Sequence, residues 1–106
     1  MVKIVLEHRT KNIECTRQLV ETAKEIRIAA SERPGFIFGE TMVDADDPCH
    51  VIVNSTWKQE DDWKAFDSSF ARNLLRNKIE GYLAEPYTPV TLSIPILWQE
   101  DLLHVF

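Results

Sequence analysis

Three histidines are the residues of this chain best suited to moving a proton near neutral pH, and they lie far apart in the sequence. His8 ends a predicted strand with the same parity as Ile4 and Leu6, which makes it our candidate general base. The simpler interpretation is that His8 is a strand-end histidine at the protein surface or at a dimer interface. We expect His50 to be an exposed turn residue and His104 to belong to a C-terminal tail. Their spacing matches no metal-binding pattern such as HxH or HExxH, so we expect no metal.

Two polar residues lie in the middle of predicted strands. Asn54 is flanked by Val53 and Ser55, and a buried Asn needs hydrogen-bond partners that a cavity or a ligand could supply. The alternative is a hydrogen bond at a dimer interface. Glu40 either contacts substrate or pairs with a Lys or Arg on a neighbouring strand. We therefore take His8 and Asn54 as candidate catalytic residues and Glu40 as a candidate substrate contact.

Aromatic and basic side chains cluster around the second predicted helical region. Trp57, Trp63 and Phe66 form either part of the core or one wall of an apolar substrate pocket. Arg72 and Arg76 lie four residues apart on one helix, where they either meet a substrate anion or are solvated charges. The candidate substrate-binding residues are thus Glu40, Trp57, Trp63, Phe66 and Arg72.

The bulk composition disfavours several classes of partner. The chain has 106 residues and a formal net charge of -5, and its basic residues are scattered, so we expect no nucleic-acid binding. It lacks an apolar run of the roughly 20 residues that a membrane span needs. Cys15 and Cys49 are too few for a disulfide scaffold, and no secretory signal is evident. We expect a soluble cytoplasmic protein with two reduced thiols.

Hydrophobic periodicity predicts the elements that position these residues. Apolar positions three and four apart indicate helices over 13–33, 60–68 and 69–84, with Ser68-Ser69 breaking or kinking the second helical region. Alternating residues predict strands over 2–9, 36–43, 50–57 and 90–98, the middle two joined by a loop of about six residues. The order β-α-β-β-α-β predicts a ferredoxin-like α+β fold with a four-stranded antiparallel sheet. Residues 1–98 form the predicted domain and 99–106 a tail.

Neither face of the predicted sheet is charged enough to face open water. Two helices cover only one face of a four-stranded sheet, so the other face needs a partner, and a second copy of the chain is the simplest one. We expect a homodimer with its sheets packed face to face around a cavity; a monomer with a partly apolar exposed sheet is the alternative. The apolar tail residues are expected to dock on the partner subunit: Leu102, Leu103, Val105 and Phe106.

The order and spacing of several short motifs resemble the antibiotic biosynthesis monooxygenase (ABM) domain family of the dimeric α+β barrel superfamily. The resemblance runs from Val2 to about Leu97, and the spacing from Pro34 to Trp57 fits without a gap. The motifs are Glu32-Arg33-Pro34-Gly35, Glu40, Asp44-Ala45-Asp46-Asp47-Pro48, Trp57 and Glu60-Asp61. The resemblance implies a cofactor-independent oxygenase acting on quinol- or anthrone-type aromatics.

The chain departs from that family pattern after Trp57. Many members carry a His where this chain reads Lys64-Ala65-Phe66, and the His of heme-degrading relatives, expected near 72–75, has no counterpart. Heme degradation is therefore not expected. Two other functions stay open: a non-catalytic small-ligand-binding or interaction protein, and a cofactor-free isomerase. The isomerase would need His8 and Glu40 to meet in the cavity.

Overall fold

A computed structural model describes residues 1–87 and 89–94. Its four strands form one antiparallel sheet in the order β2-β3-β1-β4. This architecture confirms the ferredoxin-like α+β prediction. The elements are β1 (Val2–Arg9), α1 (Ile13–Ser31), β2 (Phe36–Asp44), β3 (Asp47–Trp57), α2 (Glu60–Asp67), α3 (Phe70–Glu80) and β4 (Pro89–Ser93).

Polar side chains fix the ends of the helices. The Asn12 carboxamide oxygen accepts the Cys15 N–H at 2.8 Å and caps α1. The Ser-Ser pair breaks the second helical region, because the Ser69 hydroxyl caps a separate helix, α3, by accepting the Arg72 N–H at 3.3 Å. After α1, Gly35 adopts a φ of 85° and packs against the side chain of Asp62, so both conformation and space demand glycine here.

The β2–β3 hairpin is tighter than the sequence suggested. The predicted loop of about six residues is wrong, because the strands extend to Asp44 and Asp47 and leave a two-residue turn. The Asp44 carboxylate accepts the Asp46 N–H at 2.8 Å, and the Asp47 carboxylate accepts the Cys49 N–H at 2.9 Å. These local bonds hold backbone groups that a longer loop would leave to water.

The helices cover one face of the sheet, here called the helix-covered face, and form the core there. In β1 this face carries Ile4, Leu6 and His8, which pair in register with Ser55, Val53 and Val51. Two groups of buried residues fill the space: Ile4, Leu6, Ala30, Trp57, Trp63 and Phe66 in one, and Leu19, Val51, Ile79 and Leu83 in the other.

The opposite face of the sheet, here called the open face, is covered by no helix in the described part of the chain. Its apolar members Phe38, Met42, Val90 and Leu92 are exposed, Phe38 to 52%. This matches the prediction that the helices cover only one face of the four-stranded sheet.

β4 lies at one edge of the sheet, paired with β1. Residues 95–98 of the predicted fourth strand and the apolar tail over 99–106 lie outside the described residues, so the predicted docking of that tail stays a prediction. No helix within 1–87 or 89–94 is long and apolar enough to cross a membrane.

His50 joins three segments on the open face. Its Nδ1 lies 2.9 Å from an Asp44 carboxylate oxygen, and its Nε2 lies 2.7 Å from a Glu7 carboxylate oxygen. Only the imidazolium carries N–H donors at both ring nitrogens. The bonds to Asp44 and then Glu7 raise the pKa of His50 above its ordinary value of 6.5.

This arrangement predicts a stability that depends on pH. Because the folded-state pKa of His50 is raised, its stabilising contribution is complete below pH 6.5 and is lost as the pH rises through the raised value. We expect the difference in unfolding midpoint between the wild type and His50→Gln to shrink between pH 5 and pH 9, measured by urea denaturation. A difference that stays constant over this range would contradict the role given to His50.

Candidate functional site

His8 lies at the end of β1 on the helix-covered face, where it is 1% exposed. Its Nδ1 has no hydrogen-bond partner among the described residues, and its ring centroid lies 4.7 Å from that of Tyr87. Burial, followed by the positive charge of Arg72, lowers the pKa of His8 from 6.5 to about 4, against a smaller opposite effect of the Leu6 and Val51 backbone. At neutral pH the ring is therefore uncharged and able to accept a proton.

Arg72 projects from the first turn of α3 and is 2% exposed. Its Nη2 donates to the Tyr87 hydroxyl at 3.2 Å, and its guanidinium carbon lies 6.0 Å from the Trp63 ring centroid. Its Nε and Nη1 have no hydrogen-bond partner in the part of the chain that the structure describes. Arg72 is thus a buried cation, not a solvated helix charge.

Asp67, the described carboxylate that lies close to Arg72, is engaged by Arg76. Arg76, one turn further along α3, donates to the Asp67 carboxylate and, at 2.8 Å, to the Asp67 carbonyl oxygen. Arg72 Nε lies 3.7 Å from the same carboxylate, which is an ion pair but too long for a hydrogen bond. Within the described residues the two arginines therefore differ: Arg76 donates a hydrogen bond to a carboxylate, and Arg72 does not.

The three predicted aromatic residues lie together but face different surroundings. Trp57 is fully buried, stacks on Phe66 with ring centroids 5.5 Å apart, and donates its indole N–H to the Ser55 hydroxyl at 2.9 Å. Trp63, with its centroid 6.1 Å from that of Trp57, is 8% exposed and reaches the cavity described next. Trp57 and Phe66 are thus core residues that also border the smaller of the two cavities, and Trp63 reaches both cavities.

A cavity of about 580 Å³ opens between the sheet, α2, α3 and the segment after α3. This volume is typical of sites for small molecules. Leu6, Trp63 and Arg72 line it and also line a smaller inner cavity of about 40 Å³, which His8 borders. The remaining lining of the larger cavity is Asp67, Arg76, Glu80, Leu83, Ala84, Glu85, Pro86, Tyr87 and Pro89.

Asn54 and Glu40 lie on the other side of the sheet. The Asn54 side-chain N–H donates to a Glu40 carboxylate oxygen at 3.2 Å, between paired residues of β3 and β2. Gly39, the residue before Glu40 in β2, faces Arg27 of α1. Because successive residues of a strand point to opposite faces, the Glu40 side chain points to the open face. Glu40 and Asn54 border the same inner cavity of about 40 Å³ as His8 and Arg72, but their side chains bond to each other, and no hydrogen bond among the described residues joins either of them to His8 or Arg72. The isomerase hypothesis, which needs His8 and Glu40 to meet, stays a prediction.

Tyr87 is the contact that sequence reasoning missed. It touches both His8 and Arg72, yet it lies in the irregular segment between α3 and β4, where periodicity gives no signal. The available sequence signal for a functional contact was the position of Tyr87, an aromatic residue directly after Pro86 in a connecting segment.

Comparison with protein-family models and with curated protein sequences gives no match to this chain. Solved structures do match. A protein from Nitrosomonas europaea, provisionally assigned as an antibiotic biosynthesis monooxygenase, has a TM-score of 0.82 at 18% identity, covering 90% of this chain and 90% of that one. SnoaB from Streptomyces nogalater, a cofactor-independent oxygenase, has a TM-score of 0.74 at 8% identity, covering 92% and 96%. A conserved protein from Methanosarcina mazei has a TM-score of 0.81 at 12% identity, covering 89% and 92%.

Identities this low establish the fold and leave the activity to be argued from the site. The chain therefore has the ferredoxin-like α+β fold of the antibiotic biosynthesis monooxygenase proteins, as its motifs predicted.

Proposed function

We propose that this protein is a cofactor-independent monooxygenase acting on quinol- or anthrone-type aromatic molecules. The observation that carries the proposal is the pairing of a buried, uncharged His8, which borders the smaller cavity, with the incompletely bonded cation of Arg72, which lines both cavities. The fold shared with SnoaB supports the same conclusion.

The reaction needs few protein groups because the substrate is its own reductant. For an anthrone, the ring CH₂ group becomes a carbonyl. One atom of O₂ forms that carbonyl, and the other leaves as water with the two hydrogens that the substrate loses. The substrate supplies all four electrons, so the chain must bind the ring, accept the first proton and exclude water.

The described residues can be assigned to these tasks. His8 Nδ1, which has no hydrogen-bond partner within 1–87 or 89–94, accepts the proton of the reacting group. Trp63 and Leu6 flank the aromatic ring of the substrate, and Arg72 holds an oxygen substituent through its free N–H groups.

Oxygen consumption tests the proposal. We expect the purified protein to accelerate O₂ uptake by anthrone and by 1,4-naphthalenediol, measured with an oxygen electrode against buffer alone. Rates equal to the buffer rate for both compounds would contradict oxygenation. A bound but unchanged aromatic ligand would instead favour the non-catalytic binding protein.

We also propose that the open face joins two copies of the chain. Phe38, Met42, Val90 and Leu92 expose an apolar surface in a chain whose net charge favours solubility, and a second sheet would cover it.

Replacing Phe38 by aspartate is expected to shift the protein from dimer to monomer, because it places a charge in this surface. Sizing chromatography at micromolar concentration measures the change. The matched control is Ile28→Asp, an exposed position on α1, which should remain dimeric. A wild type that elutes as a monomer would contradict the proposed dimer.

A further inference from the structure

The guanidinium of Arg72 is a buried charge without a hydrogen-bonded anion among the described residues. Its side chain is 2% exposed and its Nη1 has no hydrogen-bond partner among the described residues. Within that part of the chain, the one oxygen to which it donates a hydrogen bond is the Tyr87 hydroxyl. A buried charge in this condition is costly to the folded protein. A buried polar group without its partners calls for an explanation, and a bound ion or ligand that supplies the missing partner is one.

Among the described residues, the charges around the cavity leave the positive charge of Arg72 unbalanced beside the inner cavity. Arg76 is engaged with Asp67, and His8 is uncharged at neutral pH. Glu80 and Glu85 also line the cavity, but both are exposed to solvent at its rim. One singly charged anion would balance Arg72, whereas a doubly charged group would leave a surplus negative charge near the glutamates.

The positions of the donors favour an anion with two oxygens. Nη1 carries two unused N–H groups, and the Tyr87 hydroxyl, which accepts from Nη2, still has its own O–H to donate. A carboxylate can place one oxygen on Nη1 and the other towards the Tyr87 hydroxyl, which is the planar arrangement that arginine binds best. A phenolate has one oxygen to share between these donors.

We propose that the natural ligand is an aromatic carboxylic acid whose carboxylate binds Arg72 and Tyr87, a proposal that rests on the assignment of this cavity as the substrate site. The oxygen substituent held by Arg72 is then a separate group from the one that reacts at His8. The class of substrate is a phenol, quinol or anthrone that bears a carboxylate.

This arrangement links binding to the basicity of His8. The charge of Arg72 is the second largest cause that lowers the pKa of His8. A carboxylate on Arg72 would cancel much of that charge, so the pKa of His8 should rise when the ligand binds. The bound carboxylate would thereby make His8 a stronger base at the moment when a base is needed.

Binding of 2-naphthoate and its neutral isostere 2-naphthamide tests the proposal on the intact protein. By isothermal titration calorimetry at pH 7.5, we expect naphthoate to bind at least tenfold more tightly than naphthamide. Arg72→Met should abolish that preference, and Arg17→Met, at an exposed position on α1, should keep it. Equal affinities for the two compounds, or no binding of naphthoate, would overturn the proposal even if Arg72→Met fails to fold.

An NMR titration of the His8 ring adds a readout independent of turnover. The pKa of His8 should rise when naphthoate is bound and stay unchanged with naphthamide; an unchanged pKa with saturating naphthoate would overturn the proposal. The two proposals can fail separately, because oxygen uptake with anthrone requires no carboxylate and naphthoate binding requires no oxygen.

Discussion

Replacing His8 by glutamine is expected to lower kcat for anthrone oxygenation by about 10²- to 10⁴-fold, the usual contribution of a positioned general base. Glutamine has a similar reach and hydrogen-bonding capacity, but it cannot accept the proton from the substrate. Because His8 is 1% exposed and borders the inner cavity, its loss removes the base without opening the site to solvent. Initial rates of O₂ uptake at saturating substrate measure the effect.

The pH dependence distinguishes a base from a packing residue. The base must be unprotonated, and the pKa of His8 in the free protein is about 4. We therefore expect kcat/KM of the wild type to fall as the pH decreases through about 4, and this limb to be absent in His8→Gln. The matched control is His50→Gln on the open face, which should keep the wild-type rate. A His8→Gln enzyme with the wild-type rate and pH profile would refute the assignment of His8.

Replacing Trp57 by alanine is expected to destabilise the fold by about 3–5 kcal/mol, the usual cost of removing a large aromatic side chain from a core. Trp57 is fully buried and is packed on several sides by aromatic rings. Its ring centroid lies 5.3 Å from that of Phe36, 5.5 Å from that of Phe66 and 6.1 Å from that of Trp63. A loss of this size is a large part of the roughly 5–15 kcal/mol that stabilises a typical domain. Urea denaturation followed by circular dichroism measures it.

Two other substitutions separate packing from ligand contact. Trp57→Phe keeps most of the packed area and should lose less stability than Trp57→Ala. Trp63→Ala should lower the affinity for aromatic ligands as well, because Trp63 also lines the larger cavity. If Trp57→Ala were as stable as the wild type, the core role assigned to Trp57 would be wrong.

The fold was predictable because its signals are local. Asn12 marks the start of α1, Gly35 the turn after it, and alternating apolar residues mark the strands. The length of the hairpin loop was overestimated because Asp44 and Asp47 are typical turn residues. In the structure Asp44 is the last residue of β2 and Asp47 the first of β3, and their carboxylates accept nearby backbone N–H groups. Composition indicates a turn more reliably than it gives the length of one.

The site was predictable only in part, because it depends on burial and on contacts distant in sequence. Arg72 and Arg76 are alike in a helical pattern, but Arg72 is buried under Tyr87 while Arg76 reaches Asp67. Strand parity separates Asn54 from Trp57, but parity does not say which side the helices cover. His8 shows the same point: its parity placed it with Ile4 and Leu6, and only the packing of the helices over that face makes it buried and uncharged.

The most direct measurement of the central claim is the fate of ¹⁸O₂ during anthrone oxidation by the pure protein. We predict that one labelled atom appears in the new carbonyl of the anthraquinone and the other in water, at a rate well above buffer and lost in His8→Gln. A folded wild-type protein that incorporates no label above the buffer rate would contradict the claim that this cavity is the site of an oxygenase.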